Sequence, residues 1–577
     1  MHTFAVRKIM ARAPIPSAEE IARLYEAGEL AAELARYHEG PEDAEETFLQ
    51  LCVELHNDQK IDLLVVPSQP GFANIAGHDF FTAQHFYCEA IPKLNANVMA
   101  LMECCRTLIE RAGADGAAGQ PNEAFRHWCQ NNPTEGALVI SKARLGDDLA
   151  KRFVTFALQA AGDVATAIDF VQSYDDERRL FAMAALGRMP IDDASKAQEA
   201  TGVLEPFLSV VDDDNLRANS LFATFDILKK HNHAEKASAF VELAAKQPGP
   251  ATLHSLAHVI WLHHKLLASH AIQTALHALE AVQPEHQGTL RTLDIGLHHL
   301  LNTDDAPLAL DFLTATLRDG SITIESYQTT VSELKRTNRQ RLYELIVRWF
   351  LSGSMALCDS VQRLVDFEDK KPFYTSVGPL GLTPVQQIFI CRKAIGFLFM
   401  RPVVCCSIIV SVLRAGDPEV AGPVTDLLFD PFLLNYGGSA RDYLKNVATP
   451  DAAYGSIQIA LVNDSAYYAG LESTGEIKEL QPSDYQRDVL RQRTHDEMRG
   501  VRKDAEKQSV LFSMVHRSTL LYGKRSLTYV LDDDGSSRAI ALDLKSMGVS
   551  FEWPRREILD PVGLDYMLRV YRVEKLE

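Results

Sequence analysis

No uncharged apolar stretch of this chain is long enough to cross a bilayer. The longest, Pro402 to Leu413, falls far short of the roughly 20 residues that a spanning helix needs. The first residues, MHTFAVRKIMARAPIPSAEE, carry Arg and Lys but lack the apolar core of a secretory signal. Cysteine is sparse and unpaired in pattern. Its nine residues are an odd number, include no Cys-x-x-Cys and sit mostly in apolar helical text, which excludes a disulfide scaffold and predicts buried, reduced thiols. These absences together predict a soluble, cytoplasmic protein.

Basic charge is also short. Lys and Arg number 58 against 77 Asp and Glu, and the net charge of −19 opposes non-specific binding to phosphate backbones, though not a small basic patch. Catalytic signatures are missing too. There is no Gly-x-Ser-x-Gly elbow. Gly523-Lys-Arg-Ser526 superficially matches the end of a phosphate-binding loop, but Ser518 stands where a glycine is needed and strand-like sequence follows where a helix is required. No cofactor is expected.

What is present is helix. Hydrophobic content of 46% and charged content of 23% are ordinary for globular proteins, and 577 residues suffice for several domains. Ser17-Ala-Glu-Glu20 is a capping box, predicting a helix to about Tyr37. A second should follow Pro41 and carry Phe48, Leu51, Cys52 and Leu55. Ile61 to Val66 is short, apolar and β-branched, an isolated strand candidate with no hairpin partner. Helix resumes from about Asp79 to Ala112, and Gly113 to Gln120 reads as a linker.

From about Ala143 the chain becomes periodic. Leu216, Leu253 and Leu290 each open a helix of about 15 residues, spaced 37 residues apart. Polar breaks follow at His231-Asn-His233, Ala268-Ser-His270 and Asn302 to Asp305. Second helices begin near Ala234, Ala271 and Pro307 and carry the apolar triplets Ala237/Phe240/Leu243, Ile272/Leu276/Leu279 and Leu308/Phe312/Leu317. Less regular pairs fit at Asp163–Ser173 with Asp176–Arg188, and at Ala194–Val211. After Tyr327 the period fades. A period of this size means a two-helix unit that must stack on its neighbours to bury its apolar face. Residues 141–345 therefore resemble the α-solenoids, tetratricopeptide-like or HEAT-like, in architecture only. The tetratricopeptide signature is absent, so no family's binding residues carry over.

Further on, Thr383-Pro384 predicts a capped helix to Phe399 and a second at Val403–Arg414, both deeply buried. Residues 415–479 are mixed, with loops around Asn435 to Gly438. Pro482-Ser-Asp484 caps a long charged helix predicted to run from Tyr485 to Tyr522. Alternation in 526–531 and 540–544 about Asp532-Asp-Asp-Gly535 predicts a hairpin, with further strand candidates at Val549–Trp553 and Tyr566–Val573. The expected fold is mainly α: a helical N-terminal domain (1–120), α-solenoid repeats (141–345), a helical domain with loops (346–480), and a long helix with a small β-rich module (481–577).

Candidate chemistry is thin. His254 and His258 lie four apart on one helix, with His263, His264, His298 and His299 near. Two imidazoles at that spacing can share a metal, but no His-Glu-x-x-His and no carboxylate or thiolate at ligand spacing accompanies them. Asp359, Asp366, Glu368 and Lys370 form a loose nuclease-like set, in text that reads as a charged helix end. The C-terminal region is locally basic, and Arg499, Arg502, Lys503, Arg555 and Arg556 are candidates for contact with a partner. The expectation is a non-enzymatic scaffold or adaptor binding partner proteins, with a multi-protein bacterial assembly as its setting. Alternatives are a metal-dependent nuclease-like or other enzyme subunit, or a nucleic-acid-contacting component of a defence-type complex acting through the basic C-terminal region.

Overall fold

The computed structural model describes residues 15–36, 42–113, 119–173, 175–209, 213–231, 233–365, 372–373, 380–475, 482–508, 525–531, 537–543 and 552–576. Helices dominate. The chain divides into two compact units, one of residues 1–315 with 326–330 and the other of 316–325 with 331–577.

In the first unit Ser17 caps helix Ala18–Glu26 by accepting from the Glu20 N–H. The helix stops earlier than expected because Gly28 adopts a left-handed conformation, and a short helix, Leu30–Leu34, follows. Ile61 to Val66 is not a strand. Ile61, Leu63, Leu64 and Val66 are buried while Val65 is exposed, and side chains rather than a strand partner bond the Leu63 backbone: His56 Nδ1 accepts from Leu63 N–H at 3.2 Å, and the Tyr87 hydroxyl donates to the Leu63 carbonyl at 2.8 Å. Two helices, Gly77–Ala90 and Val98–Ala112, fill the segment after it.

The 37-residue period is realised as stacked pairs. Helices Asp214–Leu228, Pro250–His263 and Gln287–Leu300 are the first members, and Ala234–Ala244, Ser269–Leu279 and Ala306–Thr316 the second. First helices pack on first helices, and the second helix 234–244 packs on the second helix 269–279. Leu216, Leu253 and Leu290 are all buried, as the spacing requires. Upstream, helices Val164–Val171, Asp176–Arg188 and Ala194–Ser209 occupy the less regular pairs. Small residues set the closest approaches. A Cβ on Gly187 would lie 2.9 Å from the Ala223 Cα, and one on Gly296 would lie 3.0 Å from Ile260 Cγ2.

Two carboxylates stitch successive repeats. Helix 250–263 begins at Gly249, which has no side chain to cap it. Asp214, from the preceding repeat, does so instead. Its carboxylate accepts from Gly249 N (3.0 Å), Ala251 N (2.7 Å), Thr252 N (3.3 Å) and the Thr252 hydroxyl (2.6 Å). Asp294, 7% exposed, does the same for helix Gln328–Arg336, accepting from Thr329 N and Thr330 N at 2.8 Å each, while the Thr330 hydroxyl donates to the Asp294 carbonyl.

In the second unit Thr383 and Gln386 form a reciprocal capping box at helix Pro384–Leu398, and helix Pro402–Leu413 follows, both deeply buried. Residues 415–479 are more helical than their loop-like composition suggests, with helices Pro418–Leu427, Ser439–Lys445 and Tyr454–Ser473. The long helix spans Asp484–Gln508, and its expected continuation to Tyr522 lies outside the described residues. Arg525–Leu531 pairs antiparallel with Ser537–Asp543, Thr528 facing Ile540.

The expectation of a β-rich module does not hold beyond that hairpin. Residues 549–551 lie outside the described residues, and Glu552 and Trp553 are not in a strand. Tyr566–Val573 belongs to helix Pro561–Val573. Asp560 caps that helix at Gly563 N with Pro561 in its first turn, and Leu564 and Leu568 are buried one turn apart. The alternation at 566–573 masked a period of 3.6.

Candidate interaction surface

Among the described residues, one face of each first helix of the regular repeats stays at least partly exposed. It consists of Asn219, Phe222 and Asp226 on helix 214–228, His254, His258 and Trp261 on helix 250–263, and Arg291, Ile295 and His298 on helix 287–300. The spacing of three and four within each set keeps it on one side of its helix. Stacking of first helices then lines the sets up.

Ring contacts join them. The His258 ring meets Phe222 edge-on at 5.2 Å between centroids and His254 edge-on at 4.7 Å, and lies tilted against Trp261 at 5.4 Å. His254 Nδ1 lies 3.2 Å from the Thr289 hydroxyl of the next helix. At the far end of these helices Phe225 packs on His263, and His264 stacks on His299 at 5.8 Å. Burial lowers the pKa of His254, His258, His263 and His299 below the ordinary imidazole value of 6.5. Positive neighbours add to this: His254 and His263 beside His258, His298, His264 and Lys265 beside His299. The outcome is a half-buried strip of neutral imidazoles and aromatic rings across three repeats. It offers rings for stacking and nitrogens that donate or accept hydrogen bonds.

His254 and His258 thus touch each other, but among the described residues no group of three or more His, Cys, Asp or Glu side chains is placed to hold a metal ion. Of the nuclease-like set, Asp359 lies on helix Met355–Val365 beside Arg363 at 3.5 Å. Asp366, Glu368 and Lys370 lie outside the described residues. The nine thiols are free, and all but Cys88 are buried. Burial pushes Cys88 and Cys129 up to about 12 and Cys358 to about 11, the reverse of what a nucleophilic thiolate needs.

The basic candidates separate into two groups. Arg499, Arg502 and Lys503 are exposed on helix 484–508. Along that helix Arg487, Arg491, Arg493, Arg499, Arg502, Lys503 and Lys507 alternate with Asp484, Asp488, Asp496, Glu497, Asp504 and Glu506, so it is close to neutral. Arg491 reaches Asp488 at 3.3 Å and Arg493 reaches Glu557 at 3.9 Å. Arg555 and Arg556 are occupied internally. The Arg555 guanidinium covers Tyr468 at 5.1 Å, the Arg556 guanidinium pairs with Asp430 at 3.1 Å, and the Arg556 N–H donates to Asn435. These two fasten residues 552–559 to the body of their unit. Sequence reading missed Asp214, Gly249, Asp294 and the partly exposed faces. Gly249-Pro250 was a signal, a helix start with no capping side chain of its own.

These features define a helical-repeat protein. No family model matches the chain, and no curated protein matches it. Among solved structures it is similar to a crystal structure of an engineered protein, at 14% identity, a TM-score of 0.23, and coverage of 78% of this chain and 98% of the other. It is also similar to a circular tandem repeat protein with novel repeat topology and enhanced subunit contact surfaces, at 13% identity, a TM-score of 0.16, and coverage of 80% and 100%. At those scores the likeness adds nothing to the geometry above. Among the described residues no helix is long and apolar enough to cross a membrane.

Proposed function

We propose that this protein is a non-enzymatic scaffold or adaptor that binds a partner protein within a multi-protein assembly, using the partly exposed faces of its stacked first helices. The observation that carries this reading is the ring strip joining Phe222, His254, His258 and Trp261 across two helices, with Thr289 of a third in contact. Aromatic side chains held rigidly at a surface supply large contact area at little entropic cost, and solenoids generally bind proteins or peptides along such faces. Neutral imidazoles add hydrogen bonds without bringing charge into the contact. The reading is tested by purifying the tagged chain from its native cells, beside the Phe222→Ala/Trp261→Ala double variant. The proposal expects a stoichiometric partner that the variant loses while keeping its helical circular dichroism. An identical set of co-purifying proteins, or none with either form, overturns it.

A further inference from the structure

Among the described residues, helix 561–573 in the second unit is bolted down on one side. Leu564 and Leu568 face inward. Its last turn is held by helix 384–398: Lys393 Nζ, fully buried, donates to the carbonyls of Arg572 (2.7 Å) and Glu574 (2.6 Å), and Arg392 pairs with Glu574 at 2.7 Å. Arg572 Nε donates to the Gly396 carbonyl at 2.6 Å. The outer side carries Val562 (79% exposed), Tyr566 (70%), Val570 (43%) and Val573 (62%), an apolar row on a helix that cannot swing away. Beside the row lie Asp565 and Arg569, an exposed pair one turn apart at 3.0 Å.

This surface is complementary to itself. Val562 and Val570 lie one turn on either side of Tyr566, and Asp565 and Arg569 flank Met567 by two residues each. A two-fold axis passing between two such helices, level with Tyr566 and Met567, places each Asp565 against the other copy's Arg569. The same axis lays Val562 along the other copy's Val570. An isologous contact requires such reciprocity, with residue i meeting j and j meeting i. Like charges would face each other if the acid and base stood at the same position of the row.

We propose that the outer face of helix 561–573 is a homodimerisation surface, in which the helices of two copies pair antiparallel about Tyr566. It is a different face, in a different unit, from the repeat strip, and it stands or falls separately. One 13-residue helix covers less than the roughly 800 Å² per partner of a standard stable interface, so the association is weak, with a dissociation constant on the order of micromolar or above.

Sedimentation equilibrium of the full chain over about 1 µM to 1 mM tests it. The weight-average mass of wild type should rise from one chain toward two, and Tyr566→Glu should hold it at one. Asp565→Arg and Arg569→Asp should each weaken association about tenfold, since each puts like charges together twice across the axis. The double swap Asp565→Arg/Arg569→Asp should restore it. All these positions are exposed, so circular dichroism should match wild type throughout. A constant single-chain mass for wild type, growth beyond two chains, or a swap no better than the single reversals overturns the proposal.

Discussion

Replacing Asp214 by alanine removes the cap that one repeat supplies to the next, and its cost can be worked from the contacts. Losing an N-cap side chain costs about 0.5–2 kcal/mol, and a carboxylate in a favourable, partly buried place at a helix N-terminus is worth up to about 2 kcal/mol more. Asp214 accepts from three N–H groups and a hydroxyl, none of which helix 250–263 can satisfy from Gly249. The expected loss is therefore about 3 kcal/mol, with Asp214→Asn losing about half because one acceptor oxygen remains. The neighbour provides a cross-check. A Cβ at Gly249 would fall 2.4 Å from Asp214 Cγ, so Gly249→Ala must push the carboxylate off the helix end and cost a comparable amount. Both changes break one contact. The double variant should lie close to the worse single variant, not at the sum of the two. Urea unfolding followed by far-UV circular dichroism measures the loss. Amide exchange at residues 249–252 localises it, since those N–H groups should lose protection before the rest of the repeat. A shift under about 0.5 kcal/mol for Asp214→Ala, or additivity in the double variant, would refute the capping argument.

Gly187→Ala should destabilise the first unit by about 1–3 kcal/mol, because its Cβ meets the Ala223 backbone and not a side chain that can turn away; thermal unfolding checks this, and an unchanged midpoint contradicts it. Stability should fall as the pH drops below about 6.5. The imidazoles of His254, His258, His263 and His299 have lowered pKa values in the fold, so the unfolded chain binds more protons in that window. Their contribution is complete above pH 6.5 and is lost as pH falls through the lowered values. Asp226 opposes this at His263, whereas Lys229 and Lys265 reinforce it at His263 and His299. Urea midpoints at pH 7.5 and 5.5 test the sign, and His258→Gln should flatten the slope. Thr383→Ala should cost about 1 kcal/mol by opening the capping box of helix 384–398, read from urea unfolding; no change in midpoint counts against a role for that box in stability.

How far the fold was legible depended on where each helix takes its caps and its neighbours. The 37-residue period was visible because Leu216, Leu253 and Leu290 are buried at the same place in each unit. Thr383 was visible because a threonine directly before Pro384 marks a helix start, whereas Gln386, the other half of its capping box, went unread. Ile61–Val66 misled because Ile61 and Val66 are buried by tertiary contacts while the His56 and Tyr87 side chains serve the Leu63 backbone. Tyr566–Val573 misled because exposed Val562, Tyr566 and Val570 blur the apolar period that Leu564 and Leu568 define. The imidazole cluster was visible as composition. Its partly exposed face was not, since that depends on which side of each first helix the next pair leaves open.

The carboxylate stitches explain why a clear repeat carries so faint a signature. Asp214 stands on the first turn of its helix, whereas Asp294 stands in the middle of its own, yet each caps a helix N-terminus in the following repeat. Moved by one period of 37, Asp214 falls on Ala251 and Asp294 falls back on Ala257, neither of which can cap anything. The physical demand recurs, because every stacked helix presents orphan N–H groups at its start. The place from which it is met differs between neighbours. A consensus search needs the same residue at the same position, and here only the apolar spacing obeys that rule. The capping acids are therefore conserved in role and scattered in register, so they emerge only when each helix start is asked where its hydrogen bonds go.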